Sequence, residues 1–171
     1  MVLNMKRETH TAERIREVFD YLPESGTLVW KHKTGRRVVI GSTAGHITPF
    51  GYISVAVDRI KYQAHRLIWL HQYGCWPSGD VDHINGNRSD NRLENLRDVS
   101  RRVNLQNRRD AMHKSASGLL GVTFRPNRKS KWVAEIVVDG VKKYIGAYST
   151  KEEAHAAYIS FKRVVHPGCV I

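Results

Sequence analysis

Val81-Asp82-His83-Ile84-Asn85-Gly86-Asn87-Arg88, continued through Leu93-Glu94-Asn95-Leu96-Arg97-Asp98-Val99 to Asn104, is the most specific stretch of the chain. The Asp-His pair closes a short apolar run. Asn85-Gly86 follows at once, and this dipeptide favours a tight turn because both residues accept positive φ. Leu93 to Val99 supplies a second extended run. Ser100 offers an N-cap for a short polar helix expected through Arg109. The order is strand, loop, strand, helix, with Asp82 and His83 at the end of the first strand and Asn104 on the helix facing it. An acid, an imidazole and an amide on one hairpin-helix unit can hold a hard cation and activate a water. His83 has the intrinsic pKa to take a proton near neutral pH. Asp82 offers a carboxylate oxygen and Asn104 an amide oxygen, donors that suit Mg²⁺.

The formal net charge of +12 over 171 residues points to a polyanionic partner, because basic proteins gain from counterion release on nucleic acid. The excess is uneven. Residues 88–114 carry eight Lys/Arg against four Asp/Glu, and residues 115–171 carry nine against four. Positive density therefore rises directly after the Asp-His pair, where a phosphate would sit. Cys75 and Cys169 are far apart and no Cys-x-x-Cys exists, which argues against a disulfide framework and a zinc site. No apolar run is long enough to span a bilayer and the N-terminus lacks a signal-peptide core, so a cytoplasmic chain without a membrane partner is expected.

Upstream, Ile15, Val18, Phe19 and Leu22 recur at helical spacing and predict an amphipathic helix over Thr11 to Leu22. Thr27 to Trp30 reads as a strand. Tyr52 to Val57, a turn at Asp58-Arg59 and Lys61 to Gln63 read as a hairpin. A helix from Ala64 to Tyr73 follows, with His65 and His71 read as packed or surface residues. Downstream, residues 110–118 are small, basic and aperiodic, as in a linker. Leu119 to Arg125, Lys131 to Val138 and Val141 to Tyr148 read as three strands, with Asp139-Gly140 turning the last pair. Thr150 with Glu153 forms a capping-box pattern before a helix that presents Ala154, Ala157, Tyr158, Phe161 and Val165.

Asp82, His83, Gly86, Asn87, Asn95, Leu96, Ser100, Asn104 and Asn107 together resemble the HNH nucleases of phages and mobile introns, and Ala64 to Leu70 resembles the helix that precedes their motif. The resemblance implies an α+β chain with a ββα-metal nuclease unit, acting as a metal-dependent, homing-type DNA endonuclease. It implies His83 as general base, one Mg²⁺ (or Mn²⁺) on Asp82 and Asn104, and Asn95 bracing the loop. Arg97, Arg101, Arg102, Arg108 and Arg109 are expected at phosphates. The expected partner is double-stranded DNA, met as a monomer inside a host cell by a phage- or intron-encoded protein.

A second resemblance lies in Gly121-Val122, Arg125-Pro126, Lys131 to Ile136, Tyr144 to Tyr148 and Thr150 to Ala154. These are similar to the plant Apetala-type, or ethylene-response-factor, DNA-binding domain, a three-stranded antiparallel sheet packed on one helix. It implies DNA contacts at Arg125, Glu135, Lys142 and Tyr144; Lys131 and Lys142 are expected to meet phosphate. Leu120, Thr123 and Val137 stand where the plant domains carry arginine, so their target sequence does not transfer. The division expected is an N-terminal helix and strand region at 1–51, the nuclease domain at 52–109, a linker at 110–118 and the sheet domain at 119–166. The competing expectation is a DNA-binding regulator with a vestigial nuclease unit. An RNA-binding protein has less support, since no aromatic single-strand platform is visible.

Overall fold

The Thr11 hydroxyl accepts from Arg14 N at 3.3 Å and caps helix α1, Ala12–Val18. The computed structural model describes residues 9–111, 115–166 and 168–170. The helix stops before Leu22 because Phe19–Leu22 is a strand, β1, paired antiparallel with β2, Thr27–Trp30. Phe19 and Tyr21 point inward while Asp20 and Leu22 stay exposed, an alternation of period two. Once Gly26, at φ 67°, turns the chain back, strand pairing wins over the helical spacing of the same apolar residues.

A short strand absent from the sequence expectation, β3 (His46–Ile47), edges a sheet with β4 (Ile53–Val57) and β5 (Ile60–Gln63). Asp58 and Arg59 both have positive φ, which gives the β4–β5 turn the twist a two-residue hairpin favours. Helix α2, Ala64–Tyr73, ends where Gly74 adopts the left-handed conformation at φ 76°. Ile15, Val18 and Phe19 pack with Val55, Val57, Leu67, Ile68 and Leu70. Val81 and Leu96 join the same core from β6 (Asp80–His83) and β7 (Leu96–Val99). That antiparallel pair sets Asp82 opposite Arg97 and His83 opposite Leu96. The second extended run is shorter than its apolar pattern suggested, because Leu93–Asn95 forms a 3₁₀ turn. Helix α3, Arg101–Gln106, likewise ends before Arg109.

The chain divides into two compact units, residues 1–101 and 102–171. The break falls within α3 and not in 110–118, whose Met112-His113-Lys114 lie outside the described residues. Physical ties explain this placement. The Gln106 side chain accepts from Gly168 N at 3.1 Å, and the buried Lys162 ammonium donates to the Arg108 carbonyl. The second unit orders β10 (Val141–Tyr148), β9 (Trp132–Val138) and β8 (Val122–Phe124) in one antiparallel sheet. Helix α4, Lys151–Val165, opens with the complete Thr150/Glu153 capping box. Ala134, Ile136 and Val122 meet Ala154 and Tyr158 in its core. Among the described residues, no helix is long and apolar enough to cross a membrane.

Gly121, at φ 75°, lies flat against the Tyr158 ring, where a Cβ would overlap the ring carbons. Gly121→Ala is expected to destabilise the second unit by about 3 kcal/mol, from left-handed strain plus overpacking of a buried aromatic. Thermal unfolding of the full chain checks this, and an unchanged midpoint would contradict it.

Candidate active site

His83 sits where β6 meets an irregular loop, and that loop is built from side-chain amides. Gly86 N donates to His83 O at 2.9 Å with Gly86 at φ 76°, closing the expected turn. Ile84 N donates to Asn95 O at 2.8 Å. Asn95 is buried; its Oδ1 accepts from Asn85 N at 2.8 Å and its Nδ2 donates to Asp90 O at 2.7 Å. Asn85 in turn accepts from Asn87 N and donates to the Asp90 carboxylate, both at 2.8 Å. Asn87 accepts from the Ser89 amide and hydroxyl. Short polar side chains thus satisfy the backbone of a segment with no regular ladder. The Arg92 guanidinium bonds both Asp90 oxygens and holds that carboxyl far below the usual carboxylate range.

His83 is only 4% exposed. Its Nε2 lies 2.9 Å from Asn91 Oδ1. The ring packs edge-on to His65, with centroids 4.9 Å apart, and near Tyr52 at 6.0 Å. Burial pushes the His83 pKa down, opposed by the Asn91 bond and the Asp82 charge. The net direction favours the neutral imidazole, the form that can accept a proton. Arg88 lies over the Tyr52 ring at 5.1 Å and donates to Phe50 O at 3.0 Å, tying the loop to the β3–β4 turn.

Asp82 is 7% exposed, and its Oδ2 accepts from Arg97 Nε at 3.0 Å and Nη2 at 2.8 Å. Arg97, expected at a phosphate, is therefore the ion-pair partner of the acid across the strand pair. The other expected phosphate ligands also have protein partners. Arg101 donates to Asp80 at 2.9 Å, and Arg102 bonds Asp139. Arg108 donates to Asp110 O at 3.0 Å and Arg109 to Val170 O at 3.1 Å. Asp82, His83 and Asn95 come together around the β6–β7 pair, whereas Asn104 lies on α3 in the second unit.

In that second unit, cross-strand pairing puts Tyr144 opposite Glu135 and Lys142 opposite Val137. Glu135 receives Lys142 at 2.6 Å and Arg125 at 3.7 Å, and Arg128 lies over the Tyr144 ring. Four of the five expected contact residues, Arg125, Glu135, Lys142 and Tyr144, thereby share one side of the sheet. Ala134, Ile136 and Trp132 occupy the other, against the helix. The fifth, Lys131, is exposed just before β9.

The burial of Asn91, the Asp82 pairing of Arg97 and the place of His65 beside His83 escaped the sequence. Asn91 stands in the run Ser89-Asp90-Asn91-Arg92, where nothing marks it as buried. Arg97 reads as one more basic residue until the register pairs it with Asp82. His65 reads as an ordinary helical histidine; only the packing of α2 brings its ring to His83.

Residues 62–106 match the family model described as HNH endonuclease. The segment that holds this site is thus similar to HNH endonucleases, the family whose motif the Asp-His strand end resembles. A solved structure described as "DNA binding and cleavage by the HNH homing endonuclease I-HmuI" is similar at 27% identity and a TM-score of 0.39, covering 52% of this chain and 50% of that one. The chain spans about half the length of that protein. No curated protein matches it.

His65 is 3% exposed, and burial, then the neighbouring His83 and Arg66, push its pKa down to about 3. The folded pKa lies below the unfolded value, so the unfolded chain binds the proton first. This contribution is complete above pH 6.5 and erodes as pH falls from there toward 3, by about 1.4 kcal/mol per unit. Between pH 7.5 and 5, His65 is expected to remove about 2 kcal/mol of stability. Urea unfolding at both pH values checks this against His65→Gln, which should lack that component; equal losses in both proteins would exclude it.

Proposed function

We propose that this chain is a metal-dependent DNA endonuclease of the homing type. In this reading His83 is the general base, Asp82 and Asn104 hold one Mg²⁺ in a ββα-metal unit, and residues 119–166 are an Apetala-type DNA-binding module. The carrying observation is that the HNH endonuclease match over residues 62–106 contains Asp82, His83, Asn95 and Asn104, with His83 buried and favoured in its neutral form.

The donor set suits a hard ion. Among the described residues no three His, Cys, Asp or Glu gather as a metal cage. Mg²⁺ asks for none, since it keeps several waters and uses one or two carboxylates with substrate phosphate. When bound, the ion supplies charge relief at the phosphoryl oxygens and a more acidic water. The remaining work falls to side chains. His83 takes the proton of the attacking water. Arg97 fixes the Asp82 carboxylate through two N–H groups on one oxygen, and Asn95 holds the loop that seats the base. The side of the C-terminal sheet that carries Arg125, Lys142 and Tyr144 supplies placement: Arg125 is suited to a guanine edge, Lys131 and Lys142 to phosphate.

His83→Ala is expected to lower cleavage of DNA flanking the gene by about 10²–10⁴-fold while leaving DNA affinity unchanged. EDTA should abolish cutting, and Asp82→Ala and Asn104→Ala should each raise the Mg²⁺ concentration required. Cleavage by His83→Ala at the wild-type rate would remove the base, and cleavage in EDTA would remove the metal. Binding without cleavage by the wild-type chain in Mg²⁺ would instead mark a DNA-binding regulator. Arg125→Ala should relax discrimination by about 1–3 kcal/mol at one base pair, whereas Lys142→Ala should weaken all sequences alike and flatten the salt dependence. Identical mapped cut sites and salt slopes in both variants would exclude a placing role for the sheet.

A further inference from the structure

Asn91 is 1% exposed, and its side-chain oxygen lies 2.9 Å from His83 Nε2. A carbonyl oxygen only accepts, so Nε2 carries the ring hydrogen and the lone pair of the neutral imidazole is left at Nδ1. The amide nitrogen of the same side chain is buried and has no hydrogen-bond partner among the described residues. A buried, half-satisfied amide is a poor way to fill space, since an apolar side chain would avoid the desolvation cost. The gain must come from what its oxygen does to His83.

The backbone at Asn91 is fixed from the far end of the sequence. The Tyr21 hydroxyl donates to Asn91 O at 3.2 Å and accepts from Leu93 N at 3.2 Å. Gly26, at the β1–β2 turn, lies so close that a Cβ there would overlap the Asn91 carbonyl carbon and Arg92 N. The hairpin reaches this segment because position 26 has no side chain. The His65 ring, edge-on to His83, forms a further wall.

The geometry points to Asn91 as the positioning residue of the general base: it fixes His83 with hydrogen on Nε2 and the accepting lone pair on Nδ1, and the β1–β2 hairpin holds Asn91 in place to do so. This rests on the assignment of His83 as base. It also gives the N-terminal hairpin a task in the nuclease domain.

Two variants and one spectroscopic measurement test it on the full chain. Asn91→Leu fills the space without an acceptor, and Asn91→Asp keeps an acceptor for Nε2. If Asn91 only packs, Leu should be tolerated better than Asp. If it positions the base, Asn91→Leu lowers the single-turnover cleavage rate by about 10–100-fold at unchanged DNA affinity, a range typical of lost outer-shell partners, and Asn91→Asp recovers most of it. Nitrogen-15 NMR of the histidines at pH 7.5 should show His83 protonated at Nε2 in the wild type and as a tautomer mixture in Asn91→Leu. A wild-type His83 protonated at Nδ1 overturns the inference, even if Asn91→Leu fails to fold. So does a folded Asn91→Leu that cleaves as fast as wild type while His83→Ala is inactive. An active His83→Ala overturns the base assignment itself, an outcome the tautomer measurement does not share.

Discussion

One buried side chain, Asn95, closes the loop that follows the Asp-His pair. Its carboxamide bridges Asn85 N and Asp90 O, while its own carbonyl receives Ile84 N. Twelve residues of chain are thereby returned to the strand pair they left. Without that cross-link the backbone groups of a polar, aperiodic segment would turn to water, and Asp90 and Asn91 would lose their positions beside Arg92 and His83. Fully satisfied amide networks of this kind hold one arrangement rigidly, because each bond depends on the geometry of the others. The placement of the His83 ring is in that sense a property of asparagines more than of the histidine.

Much of this was legible in the sequence, and the reasons differ by element. The Asp-His strand end, the Asn-Gly turn and the Thr150/Glu153 cap are local, and local rules sufficed. The α2 helix was legible because its apolar residues recur at one period and Gly74 follows them. The first helix was misread in length because Phe19 and Leu22 fit both a helical and an alternating pattern; only the partner strand beyond Gly26 decides between them. The burial of Asn91 was not legible, and His65, read as packed or surface, could not be placed against His83. Each depends on an element some 20 to 70 residues away in sequence, and neither residue type is ordinarily a core residue.

The basic residues sort by how firmly they are held. Arg101–Asp80 and Arg102–Asp139 are largely exposed pairs, the kind that contribute about 0–1 kcal/mol and exchange readily for another anion. Arg97 differs. It is three-quarters buried and gives two N–H groups to one oxygen of a buried carboxylate. A polyanion can recruit the first group by simple competition, whereas moving Arg97 would strand the Asp82 charge in a poorly solvated place. The net charge of +12 thus overstates the number of cations a ligand can draw on at once.

The register shift in β10 has a consequence for how this strand can vary. Tyr144 pairs with Glu135, but Gly146 pairs with Ala134, so Ile145 is an extra residue in the ladder. Positions 144 and 148, which simple alternation would put on the same side, are thereby divided: Tyr144 is exposed, and Tyr148 packs into the core beside Trp132. The strand behaves as two short strands joined end to end, each answering to a different neighbour. Residues before Ile145 are free to drift with whatever the sheet meets. Those after it are bound to the helix, and because Ile145 is the extra residue, deleting it would close the ladder with each half still on its own side.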